Sequence, residues 1–231
     1  MRTLIVVLLK LFSGIWGSMN NFLKLYEICK KSETIFLITL LKYFYYKVFF
    51  RKDIISHQNV TLKGIDKINL KKRLFLGVRQ NDLSLKNDRT LLNIKGELKI
   101  LGDYSIGRGC RFTIGKNAEV ELDEGYININ SIVSINYGLK IGKSTFISWN
   151  CQILDDDLHE MIYEGKKNKD NKIIIGSHVW IGSNVSIFKG VTIADNSVVA
   201  ANSVVTRKFS EKNCLIAGNP AVIVKRNIDW K

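Results

Sequence analysis

Three histidines occur in the chain, His57, His159 and His178. His159 stands in the run LDDDLHE, just after Asp155, Asp156 and Asp157. An imidazole titrates near neutral pH, so it can take a proton from a hydroxyl and hand it to a leaving group. A carboxylate on the far ring nitrogen would fix the tautomer and raise basicity; Asp157 and Asp155 are the preferred candidates. His178, in G-S-H-V-W, reads as structural or as part of a cleft rim, and His57 as incidental. Cys151 precedes His159 by eight residues. A Cys–His acyl-enzyme route is therefore chemically open, against the alternative of an ordinary packing position. Asn130, Asn136 and Asn150 lie shortly before this run. They either hold substrate hydroxyls or cap chain corners. The four cysteines form no C-x-x-C pair, so no zinc site is expected.

The elements that must carry these groups repeat every six residues. Ile175, Ile181, Ile187, Ile193, Val199 and Val205 are spaced by six. A helix repeats at about 3.6 residues and a strand at 2, so neither alone gives this period. A chain that turns a corner after each short strand does, with one inward aliphatic per face. Stacked three-sided coils then bury a continuous aliphatic column. Upstream, Ile94, Ile100, Ile106 and Phe112 share the period. After slips it returns at Ile114 and Val120, then at Ile129, Ile135, Ile141, Ile147 and Ile153. It lapses for 22 residues before Ile175, and His159 lies inside that lapse. A loop that interrupts a solenoid is where such a fold places chemistry. The expected class is an all-β solenoid, a parallel β-helix with an N-terminal helical appendage. The expected divisions are an appendage at 1–55, a transition at 56–93, the β-helix at 94–217 with a catalytic loop at 154–172, and a C-terminal segment at 218–231.

Net charge is +14, and residues 1–73 hold 14 Lys/Arg against 4 Asp/Glu. The excess suits an anionic membrane surface or a phosphorylated substrate. No zinc finger, RNA-recognition or helix-turn-helix pattern accompanies it, which argues against nucleic acid. Residues 3–12 and 34–50 are strongly apolar, yet each is short of the roughly 20 residues of a membrane span and carries lysine. For residues 3–12 a signal peptide is a further option, although Ser13–Ser18 offers no clear cleavage site. In the second stretch Ile38, Leu41, Tyr45 and Val48 share one helical face. That face suits contact with a membrane interface or packing on another helix or subunit.

Residues 173–225, IIIGSHVWIGSNVSIFKGVTIADNSVVAANSVVTRKFSEKNCLIAGNPAVIVK, resemble the C-terminal half of hexapeptide-repeat acetyltransferases. NINSIVSINYGLKIG, NCQILDDDLHE and the ending NIDW are most similar to the acetyltransferases of capsule and colanic-acid exopolysaccharide clusters. The likeness covers about residues 94–230. It implies a left-handed β-helix, a homotrimer, and acetyl-CoA bound between neighbouring coils as co-substrate, with no metal. It also places the catalytic histidine at His159. Trp180 matches a tryptophan that walls the cleft, and Gly182 and Ser183 match the backbone near the thioester. Ala201 matches a contact of the pantetheine arm. Thr206 and Arg207 match a Thr-Lys pair at the CoA phosphates, and Lys225 matches a second basic contact. Val222 stands where several relatives carry arginine, while Gly218 and Pro220 shape the closing turn. A γ-class carbonic anhydrase has the same fold but needs three converging histidines, which this spacing does not supply.

Together these readings predict an acetyl-CoA-dependent O-acetyltransferase. Its acceptor would be a sugar hydroxyl of a surface polysaccharide or its precursor, and the enzyme would be cytoplasmic or peripheral at the inner face of a bacterial cytoplasmic membrane. N-acetylation of a nucleotide-linked amino sugar, antibiotic acetylation and an inactive scaffold are the alternatives.

Overall fold

A computed structural model describes residues 19–79, 83–85, 87–160, 162, 164 and 170–231. The apolar stretch 3–12 and part of the 154–172 loop lie outside them. Among the described residues two helices come first, α1 (Met19–Lys31) and α2 (Phe36–Phe50), and short strands follow. The strands form three sheets of nine, seven and six strands, each visited in turn as the chain coils. Among the described residues the strands pair in parallel, except in the C-terminal hairpin Leu215–Gly218 with Ala221–Lys225.

The inward columns follow from the six-residue period. On the first face Leu76, Ile106, Ile127, Ile147, Ile181 and Val199 stack in register. On the second, Leu92, Phe112, Val133, Ile153, Ile187 and Val205 do so. On the third, Ile100, Leu122, Ile141, Ile175 and Ile193 do so. All of these side chains are buried. Truncating one to alanine would cost about 2–5 kcal/mol, because a prism stacked on both sides cannot collapse into the gap. The slips in the period have a simple origin. Ile181 to Val199 is one coil of 18 residues, whereas Ile127 to Ile147 is one of 20.

The first coil begins earlier than expected. Ile54–Ser56, Val60–Lys63, Ile68–Leu70 and Leu74–Leu76 already belong to the three sheets, so the stacking of strands begins at Ile54. Leucine replaces isoleucine in these columns and the segment after Leu76 runs long, which hides the period. Helix α2 is stapled to this first coil. Lys42 Nζ donates to the carbonyls of His57, Gln58 and Val60 at 3.1, 3.1 and 2.9 Å. Leu25, Cys29, Leu40 and Tyr43 pack on the outward side chains Ile55 and Phe75 of the first face.

Candidate active site

The three corners of the prism divide the predicted residues. Asn130, Asn150, Gly182, Ser183 and Ala201 stand at the corner between the first and second faces. Asn136, Asp155, Asp157, His159, Thr206 and Arg207 stand at or just beyond the corner between the second and third. Lys225 lies apart from both groups, exposed on the terminal hairpin.

At the first corner Asn130 and Asn150 have φ of 56° and 58°, as do the aligned Asn184 and Asn202 at 59° and 61°. Asparagine tolerates this left-handed conformation better than most residues. Of the two readings open for Asn130 and Asn150, the corner role is therefore the one their backbones display. Coils approach closely here: a Cβ on Gly182 would lie 2.6 Å from the Ala201 nitrogen. The Gly182 N–H donates to Val199 O and that of Asn184 to Trp149 O, at 2.8 and 3.1 Å. Among the described residues the intervening Ser183 N–H has no such acceptor. Cys151 also sits at this corner, buried, its thiol donating to Gly182 O at 3.2 Å. Burial pushes that thiol up to about 11, so the thiolate a Cys–His route requires is suppressed. Trp180 points outward from the first face and is 44% exposed, its indole N–H donating to Ser148 Oγ at 3.3 Å.

At the second corner the three aspartates have separate tasks. Asp155 is fully buried; Oδ1 accepts the Asn136 N–H at 2.7 Å, and Oδ2 accepts those of Tyr137 and Gly138 at 2.7 and 2.8 Å. Its expected role of orienting His159 is corrected by this geometry, because both oxygens cap the preceding turn. Asp156 accepts the Leu158 N–H and the Asn136 side-chain amide at 3.0 and 2.9 Å. The substrate-binding expectation for Asn136 is thus met by a side chain already engaged. Asp157 is exposed and paired with Lys189 Nζ, whose charged form the carboxylate favours. His159 is exposed two residues further on. Among the described residues no hydrogen bond joins it to any of the three aspartates.

A groove of about 630 Å³ opens beside this loop, lined by Asp157, Phe188, Lys189, Gly190, Thr206 and Arg207 among others. It unites the two residues expected at the cofactor phosphates with one preferred catalytic aspartate. Lys189 was not foreseen; a lone lysine before glycine at a corner carries no sequence signal of a partner on a distant loop.

The other histidines are occupied. His57 is buried and its Nδ1 accepts the Asn59 N–H at 3.0 Å. Burial, with Arg108 and Lys42 adding, pushes it down to about 4, so it is neutral. His178 stacks on Trp230 with ring centres 4.2 Å apart and planes 8° from parallel. The Trp230 indole N–H donates to His178 O at 3.0 Å. His178 is therefore an anchor for the C-terminal tail.

Comparison with known proteins agrees with this architecture. Residues 172–207 match the family described as hexapeptide repeat of succinyl-transferase. The chain is 39% identical over 205 residues to an uncharacterized 24.8 kDa protein in the cps region of Klebsiella pneumoniae, covering 88% of this chain and 92% of that one. It is similar, at 31% identity and a TM-score of 0.41, to a hexapeptide-repeat-containing acetyltransferase of Vibrio cholerae O1 biovar eltor solved with acetyl coenzyme A. That likeness covers 55% of this chain and 66% of the other. An N-acyltransferase of Bacillus cereus, AntD, solved as its S84A mutant with dTDP-4-amino-4,6-dideoxyglucose and coenzyme A, shares the fold at 17% identity. There the TM-score is 0.51, over 78% of this chain and 83% of that one. The fold is the left-handed parallel β-helix, and the chain belongs to the same family as the cps-region protein of Klebsiella pneumoniae.

Proposed function

We propose that the chain is an acetyl-CoA-dependent O-acetyltransferase acting on a sugar hydroxyl of a surface polysaccharide or its precursor, with His159 as general base. One observation carries this reading. Of three histidines, His57 is buried and neutral and His178 is stacked on the tail, while His159 alone stands exposed on the interrupting loop. The groove beside it carries Lys189, Arg207 and Lys208 with Thr206, against Asp157 and Asp170, and Arg207 and Lys208 suit the phosphates of CoA. His159 would take the hydroxyl proton as the oxygen attacks the thioester carbonyl, then deliver it to the departing CoA thiolate. Asp157 is the carboxylate left to orient the ring once Lys189 lets it go. The Ser183 N–H would donate to the oxyanion. The cps-region relative supports a polysaccharide acceptor. N-acetylation of a nucleotide-linked amino sugar uses the same cofactor groove and differs only in the acceptor.

Two further parts belong to this reading. Within one chain the second face separates the Ser183 corner from the His159 corner. A homotrimer whose C-terminal coils meet would bring the first corner of one copy to the second corner of the next and close the cleft, leaving the N-terminal coils of that edge open. The outward side of α2 exposes Leu37, Leu41, Tyr45, Val48 and Phe49 beside Lys47 and Arg51. That apolar and basic surface would hold the enzyme against the inner face of the cytoplasmic membrane. No helix among the described residues is long and apolar enough to cross one.

The decisive experiment measures thiol release from acetyl-CoA across lipid-linked and nucleotide-linked sugars. His159→Ala should lose nearly all release that depends on the acceptor while still binding CoA. Undiminished turnover in that variant would reject the mechanism. Flotation of the full chain with and without Leu41→Asp/Phe49→Asp would test the membrane contact; equal behaviour would count against it.

A further inference from the structure

The edge between the second and third faces carries a row of lysines on successive coils, Lys67, Lys95 and Lys116. Coils are spaced about 4.8 Å apart, and glycine holds them tight here. A Cβ on Gly64 would sit 1.9 Å from Ile94 O, and one on Gly96 2.2 Å from Ala118 O. One on Gly115 would sit 2.3 Å from Asn136 Oδ1. The backbone at this edge is thus closely stacked over four coils, and Lys67, Lys95 and Lys116 are exposed along it.

They border an open trough of about 720 Å³ that Lys52 also lines. Acidic side chains are present too, but they are taken. Asp66 faces Lys67 at 3.3 Å, and Lys99 holds both Glu97 and Glu119 at 3.6 and 2.6 Å. Among the described residues Lys52, Lys95 and Lys116 have no ion-pair partner, so the trough keeps uncompensated positive charge. Following the same edge from coil to coil leads to Asn136, then to the loop bearing His159, then to Lys189 and Lys208. The trough and the loop therefore lie along one track.

We propose that this edge binds an acidic glycan several sugars long, bearing carboxylates or phosphodiesters, with Lys95 and Lys116 meeting its negative groups. Repeated charges on an extended chain match a row of lysines repeated at the coil spacing, whereas a single small anion would need only one of them. A chain seated there leads towards His159, so the edge would select acidic acceptors for the acetyl transfer proposed above. That consequence rests on the transfer reading; the binding itself does not.

The test uses the full-length protein with fluorescently labelled polygalacturonate fragments and, as a neutral control, dextran of equal size. Polygalacturonate should bind with an affinity that falls as salt rises, and dextran should not bind. Lys95→Glu/Lys116→Glu should weaken binding about tenfold or more, while Lys143→Gln at another corner should leave it unchanged. The proposal is overturned if the double variant binds as the native chain does or if dextran binds equally well. Tighter binding of duplex DNA or phosphatidylglycerol vesicles to the same lysines overturns it as well. CoA affinity is measured on the same samples by calorimetry. Its absence in the native chain would count against acetyl transfer and leave the result on the lysine edge standing.

Discussion

Asp155 and Tyr137 are joined by a 2.7 Å hydrogen bond between a fully buried carboxylate and a backbone N–H of the preceding coil. With the Asn136 and Gly138 amides, this bond fixes the point at which the loop bearing His159 leaves the prism. Asp155→Asn retains one acceptor and turns a donor toward a donor. It should cost about 2–3 kcal/mol, read as a lower midpoint in urea unfolding. A variant as stable as the native chain would show that the turn does not need the carboxylate.

Asp157 is exposed, and its partner Lys189 is equally accessible. An exposed pair of this kind contributes little to stability. Asp157→Asn should therefore leave the melting temperature within about 2 °C. Acetyl transfer should drop about 10- to 100-fold, mainly in kcat. A fall in stability with unchanged turnover would make the residue a loop strut and nothing more.

Lys189→Met removes a cation from the groove proposed for CoA and leaves Asp157 without its lysine. CoA affinity by calorimetry should fall several-fold, and the loss should shrink in high salt. Equal affinity at low salt would exclude Lys189 from the phosphate contacts.

His57 makes stability depend on pH in a defined direction. Its folded value is about 4, below the usual 6.5, so the unfolded chain binds more protons between those values. Its contribution is complete above about pH 6.5 and is lost as pH falls toward 4, by roughly 3 kcal/mol at most. Chemical unfolding at pH 7 and pH 5 should show the decline, and His57→Asn should flatten it. A native chain equally stable at both values would contradict the assignment.

Trp230 closes the molecule by stacking on His178, which precedes it by 52 positions. Trp230→Ala should lower stability by about 2–3 kcal/mol through lost apolar contact and ring stacking. Unchanged protease sensitivity after Ile223 in that variant would argue against a tail held by the ring.

The buried columns from Ile94 to Val205 were legible because inward positions in a solenoid obey a local rule that single residues reveal. The first coil at Ile54 was not, since Leu62 and Leu70 stand in its columns and a long stretch after Leu76 separates it from the repeats. The exposure of His159 was legible from the lapse of the period around it. The division of labour among Asp155, Asp156 and Asp157 was not. It depends on which groups of the previous coil lie beneath each carboxylate, and adjacent acids in a chain look alike until that stacking is known. Lys189 escaped for the same reason: its partner comes from an insertion whose path no spacing dictates.

The loop after Leu154 departs from a corner and rejoins the prism without shifting the register of Ile153 with Ile187 or of Ile141 with Ile175. Its length and content are therefore decoupled from the scaffold. One such excursion can be exchanged for another while the stacked coils stay as they are. Descendants of this chain can reshape what surrounds His159 by local grafting, with no redesign of the spine beneath.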